Sequence, residues 1–209
     1  MPTVQAETLT LYDLEKKFGL QQTLDRQFFS EWQEPLPAVT SLEKQRLDRT
    51  KEQYFHLSSR PILEEMVKMV IVSPLLDLAG FYNPPFYSVS EKSVKLSTKD
   101  EQVTVRGKID VLVLQDQLWI LVIESKRSGL SLEPGIPQAL TYMLASPQRQ
   151  SPLYGMVTNG SNFIFLKLAH QTIPSYALSE EFTLRRSGDL FTVMRVLRRF
   201  AEVICPDES

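Results

Sequence analysis

The run of apolar and polar positions divides the chain into a helical first third and a strand-rich remainder. Residues 8–32 carry periodicity for one or two short helices broken at Gly19, and the segment EPLPA from Glu34 to Ala38 interrupts any helix. Residues 41–57 are predicted helical and strongly charged. The stretch SSRPILEEMVKMVIVSPLLDLAGF predicts a long helix with Ser59 as N-cap, Pro61 in the first turn and an apolar stripe ending near Gly80. Pro74 should kink or restart that helix.

Within residues 84–99, FYSVSEKSVKLS alternates as a half-exposed strand does. Two nearly continuous apolar runs follow, Gln102 to Leu114 and Leu118 to Lys126, and read as buried strands. A Pro/Gly-rich loop from Leu130 to Pro137 leads to a helix ending near Ala145, and YGMVTNGSNFIFLKL gives two more strands joined around Asn159-Gly160. A last helix covers about 188–204. The order predicts an α/β fold in which a mixed central β-sheet is flanked by helices. A helical extension over 1–57 precedes a domain over 58–209, the whole forming a single globular unit.

Composition narrows the chemistry. With 209 residues, 43% hydrophobic and 23% charged, the chain has the makeup of a globular protein with its own core. Cys205 is the single cysteine and the histidines are His56 and His170, so an internal disulfide and a Cys/His zinc site are both excluded. Any metal must be held by oxygen. The N-terminal stretch lacks the pattern of a signal peptide and no apolar run reaches the ~20 residues of a bilayer span, so no membrane partner and a cytoplasmic location are expected. No GxxxxGK[ST] run occurs, so no nucleoside triphosphate is expected to bind.

The net charge of −2 gives no overall attraction to phosphate, and a nucleic-acid partner would need a local basic patch. Candidates are Lys126 with Arg127, Arg185 with Arg186, and Arg195, Arg198 and Arg199, the last group reading as a solvated helix face. Trp32 and Trp119 read as packing residues, and neither histidine has triad partners in view.

The two buried strands end in charge: Asp110, Glu124 and Lys126. A three-residue turn, Gln115 to Gln117, sets Leu114 against Leu118 and Asp110 against Val122. All three charges then fall on one face; a two-residue turn reverses that parity. Carboxylates that are diagonal neighbours across a hairpin, roughly 7–8 Å apart at the backbone, close around a shared hard cation such as Mg²⁺. Such a cation polarises a phosphodiester and activates water, with Lys126 either orienting that water or stabilising developing negative charge. The other reading is an ordinary ion-pair cluster where strands leave the core.

Asp110 followed by Glu124-Ser125-Lys126 resembles the core of the PD-(D/E)XK nuclease superfamily. Gln138 and Tyr142 in PQALTYM are similar to the Q-x-x-x-Y signature of RecB-type exonucleases and of the N-terminal nuclease domain of type I restriction enzyme R subunits. The run EEMVKMVIVSPLLDLAGF resembles the first helix of that domain, with Glu64 in the acidic position and Glu65 the alternative. The likeness spans about Ser59 to Leu168; Ile109 stands where the family usually has proline, and the helicase motor of an R subunit is absent.

The resemblance implies a restriction-endonuclease-like core and Mg²⁺-dependent hydrolysis of DNA, with Mn²⁺ as substitute, in a restriction or defence setting. Asp110, Glu124 and Glu64 would bind metal with the Ser125 carbonyl. Lys126 would be the catalytic lysine, and Gln138 and Tyr142 would orient the site or touch nucleic acid. Cutting both strands of a duplex suggests a homodimer. A nuclease fold without catalysis, kept as a DNA-binding or protein-interaction module, is the alternative.

Overall fold

Alternating apolar residues become strands and capped, charged runs become helices in the computed structural model of the protein, which describes residues 3–33, 35–97, 103–116 and 118–205. In chain order the elements are β1 (Thr3–Gln5), a 3₁₀ turn (Ala6–Thr8), α1 (Leu11–Phe18), β2 (Gln21–Gln22), α2 (Ser41–Leu57), α3 (Glu64–Val67), a π-turn (Lys68–Val72) and α4 (Ser73–Ala79). There follow β3 (Phe86–Ser97), β4 (Thr104–Gln115), β5 (Leu118–Ser125), α5 (Gly135–Leu144), β6 (Leu153–Thr158), β7 (Asn162–His170), β8 (Pro174–Leu178), β9 (Phe182–Thr183) and α6 (Asp189–Ile204).

The strands form one mixed sheet in the order β1-β4-β5-β6-β7-β8-β2, with β3 also on β4 and β9 also on β7. The protein is therefore a mixed α/β structure with a large sheet between helices. Side chains alternate across that sheet into two apolar layers. Val113, Leu121, Ile123, Tyr154, Met156 and Phe165 enter the layer that holds residues of α2, α4 and α6. Leu112, Leu114, Val122, Val157 and Leu166 enter the one that holds residues of α1 and α5.

The segment predicted as a helical extension contributes strands at both ends of the sheet: β1 pairs with β4 and β2 with β8, each in parallel. Helix α2 also belongs to the core, with Leu47 and Tyr54 buried, and the Tyr54 hydroxyl donates to the Asn159 carbonyl at 3.1 Å. No second helix forms before residue 33. Thr23 Oγ1 accepts from Asp25 N, and Asp25 Oδ1 from Gln27 N, so these side chains turn the backbone in place of a helix. Residues 98–102 and Gln117, which fall at the end of one predicted strand, the start of the next and in the predicted turn, lie outside the described residues.

Ser59 is not the N-cap of the next helix. Its hydroxyl and that of Ser58 donate back to the His56 and Phe55 carbonyls and close α2, and the following helix starts at Glu64 with Leu63 before it. Pro74 lacks an N–H, and the helix accommodates it with a π-turn in which Ser73 N bonds back to the Lys68 carbonyl. The helical path then continues to Gly80, which closes it at φ +91°.

Candidate active site

The hairpin of β4 and β5 brings the predicted charges together by a different route from the one the turn length suggests. Gln115 pairs with Leu118 and Leu114 with Trp119, so the turn has two residues, which alone would put Asp110 and Glu124 on opposite faces. The register then shifts at Ile120, and Val113 pairs with Leu121, Leu112 with Val122 and Val111 with Ile123. One bulged residue cancels one missing turn residue, and the parity is restored.

Strand β4 carries a second irregularity at the site itself. Val105, Gly107 and Ile109 face α5, where Tyr142 packs on Gly107; beyond Asp110 it is Leu112 and Leu114 that face α5. The alternation slips by one residue around Asp110. On the neighbouring β3, Glu91 has φ +57° between the pairs Ser90↔Val111 and Lys92↔Ile109. A non-glycine residue held in that region next to a cluster of charges is a recognised mark of a functional site.

The two strands separate beyond Val111 and Ile123, and the site fills the fork. Asp110 spans it: its Oδ2 accepts from the Ser125 backbone N–H and from Ser125 Oγ, both at 2.7 Å. Glu124 is 3% exposed. Its Oε1 accepts from Lys126 Nζ at 2.8 Å, while its Oε2 is buried without a hydrogen-bond partner. Burial pushes the Glu124 carboxyl up to about 8, the charges of Asp110 and Glu64 add to the rise, and Lys126 opposes it.

Behind the lysine stands a polar relay on one face of α5. Lys126 Nζ donates to Gln138 Oε1 at 2.7 Å, and Gln138 Nε2 donates to the Tyr142 hydroxyl at 2.9 Å. The i, i+4 spacing stacks Gln138 and Tyr142 on one side of the helix, both buried. Burial and the charge of Glu124 hold the Tyr142 phenol above its ordinary range, so it stays a neutral hydroxyl. Gly135 lets this helix approach: a Cβ there would lie 2.6 Å from Val157 Cγ1 and 3.3 Å from Lys126 Cε.

Of the two candidate glutamates on α3, Glu64 is half-buried and its charge is felt by Glu124. Glu65 is exposed and pairs with Lys68 at 2.7 Å. Lys68 and Glu91 join Asp110 in one ion cluster, and neither stands out in the sequence. Lys68 Nζ lies 3.5 Å from Asp110 Oδ1 and 3.3 Å from Glu91 Oε1, and Lys108 Nζ lies 2.8 Å from Glu91 Oε2. Burial works against the Lys68 charge, but Glu65, Asp110 and Glu91 hold its pKa above the usual lysine range. Its signal was present: Lys68 follows Glu64 by one helical turn and so shares its face.

The arginine cluster of α6 plays a structural part. Arg195 donates to the Pro37 and Leu36 carbonyls at 2.7 and 2.9 Å, Arg198 to Ala38 and Leu78 at 3.0 and 2.9 Å, and Arg199 to Pro35 at 2.6 Å. Instead of forming a solvated face, they bind the extended segment before α2 to α6.

Glu124 Oε2 is enclosed and unpartnered and feels the charge of Asp110, features that an oxygen-held cation would suit. Among the described residues no group of three or more His, Cys, Asp or Glu side chains is gathered closely enough to hold a metal ion, so the carboxylates stand apart in this arrangement. Among the same residues no helix is long and apolar enough to cross a membrane.

No family model matches the chain, and no curated protein matches it. Among solved structures it is similar to one described as "a putative HsdR subunit of a type I restriction enzyme from Vibrio vulnificus YJ016", at 21% identity and a TM-score of 0.41. The match covers 64% of this chain and 25% of that one, so the chain spans a small part of that neighbour's length.

Proposed function

We propose that the protein is a Mg²⁺-dependent nuclease with a restriction-endonuclease-like core that hydrolyses DNA phosphodiester bonds, in the restriction or defence setting its motifs resemble. The observation that carries the reading is the meeting of Asp110, Glu124 and Lys126 at the fork of one hairpin, with Glu124 Oε2 buried and unpartnered. Asp110, Glu124, Glu64 and the Ser125 carbonyl would hold the ion. When bound, Mg²⁺ supplies charge stabilisation for the phosphodiester and acidifies a water. Ser125 fixes Asp110 through two hydrogen bonds, so that carboxylate keeps its orientation. Gln138 and Glu124 hold the Lys126 ammonium as a donor, which suits stabilising the negative charge that develops on the phosphate. Tyr142 holds Gln138 in turn.

Purified protein with Mg²⁺ or Mn²⁺ is expected to cut plasmid or single-stranded DNA, and Lys126→Ala to slow it by about 100-fold or more. Absence of cleavage on every DNA form, with Lys126→Ala indistinguishable from wild type, sinks the reading. A second reading, a nuclease fold that binds DNA or protein without cutting, has its own observation: each carboxylate already faces a lysine, Lys126 at Glu124 and Lys68 at Asp110. Calorimetric titration separates the two, since a dead site takes up no divalent ion that Asp110→Ala removes.

A further inference from the structure

We propose that Lys68 is a resident counter-cation of the site, occupying Asp110 in the metal-free protein and giving way when a divalent ion binds, so that it sets the affinity for metal. The inference rests on the metal-dependent reading above and adds a residue to it.

The argument starts from the oxygens. Asp110 Oδ2 is committed to Ser125, and the backbone N–H that holds it belongs to β5. Oδ1 is the oxygen left for an ion, and it faces Lys68 Nζ at 3.5 Å. At Glu124 the division is the same, with Oε1 on Lys126 and Oε2 without a partner. An ion held by the two carboxylates would therefore meet the Lys68 charge at Asp110 Oδ1, while Glu124 would offer Oε2 with its Oε1 still on Lys126.

The pair is shielded, with the Lys68 and Asp110 side chains 12% and 14% exposed, so the ammonium charge is poorly screened and opposes a second cation strongly. Displacement is nonetheless easy in geometric terms. Asp110 is the longest of the three carboxylate contacts, and Glu65 at 2.7 Å and Glu91 at 3.3 Å remain to hold the ammonium. Glu91, at φ +57°, is itself held from its other oxygen by Lys108 at 2.8 Å. The π-turn starts at Lys68, so the residue sits where the helix departs from regular pitch to accommodate Pro74.

The test is calorimetric titration of Mn²⁺ and Mg²⁺ into wild type, Lys68→Met, Lys68→Gln and Lys68→Arg, with thermal melting of each in the absence of metal. The neutral variants are expected to bind the ion on the order of tenfold more tightly, Lys68→Arg to stay near wild type, and the metal-free neutral variants to melt lower. Two neutral variants are used so that a folding failure in one leaves the other to decide. Equal or weaker binding in the neutral variants, with wild type binding normally, overturns this inference and leaves the nuclease reading standing. Failure of every form to bind either ion overturns both.

Discussion

Tyr142 shows how much of the site depends on single hydroxyl and amide groups. Its oxygen accepts from Gln138 Nε2, and Gln138 uses its other end on Lys126. Tyr142→Phe leaves a buried amide donor unpaired, so we expect a loss of about 1–3 kcal/mol in chemical denaturation, together with slower cleavage as Lys126 loses its brace. Away from the site, His170 faces Arg149, whose Nη1 lies 2.7 Å from Nδ1. Burial and the Arg149 charge lower its pKa to about 4, against an ordinary value near 6.5, while a bond to the Met143 backbone opposes the shift. The unfolded chain binds this proton more readily than the folded one. Stability from this group is therefore present above about pH 6.5 and is lost as pH falls toward 4. A His170→Gln variant should show a flatter decline in melting temperature across that interval.

At the scale of elements, the hairpin of β4 and β5 and its packing on α5 decide where the proposed site lies. A Cβ on Gly107 would stand 2.6 Å from Tyr142 Cε1 and 2.9 Å from Ala6 Cβ, with Tyr142 fixed by its helix. Gly107→Ala is expected to push α5 from the strand and to cost about 1–3 kcal/mol, read by urea denaturation, with weaker metal uptake as the fork widens. Much of this arrangement is legible in the residues. Period-two alternation marks β3, nearly continuous apolar runs mark β4 and β5, the Asn159-Gly160 pair marks the β6–β7 turn, and the spacing of Gln138 and Tyr142 puts them on one helix face. That Asp110, Glu124 and Lys126 lie at one end of the hairpin is also readable, although the predicted turn is one residue too long; a bulge leaves no trace in an apolar run. Strands β1, β2, β8 and β9 go unread because two to five residues with little alternation make no period. Ser59 misleads because a serine between two helices can serve either, and here it closes the first. Lys68 and Glu91 are legible only as charges, since the ion cluster joins residues of a helix and two different strands.

Across the whole molecule, α6 acts as a clasp. Its arginines take carbonyls from residues 35–38 and, through Arg198, from Leu78 and the carboxylate of Glu43, tying the segment before α2 and the end of α4 to the last helix. Arg198→Ala removes three of these ties at once. We expect a loss of about 1–3 kcal/mol in stability and faster proteolytic nicking near residues 35–40, measured by limited digestion. The pairing of β1 with β4 and of β2 with β8 has a consequence in time. Gln21 pairs with Ser175, so β2 waits during synthesis for a strand made much later. Until β8 is made, β2 has no partner strand, and the loop that closes between them is long. Strand β2 is thus made well before the strand it joins, and a ribosome-bound chain stopped before β8 should hold β2 open to protease.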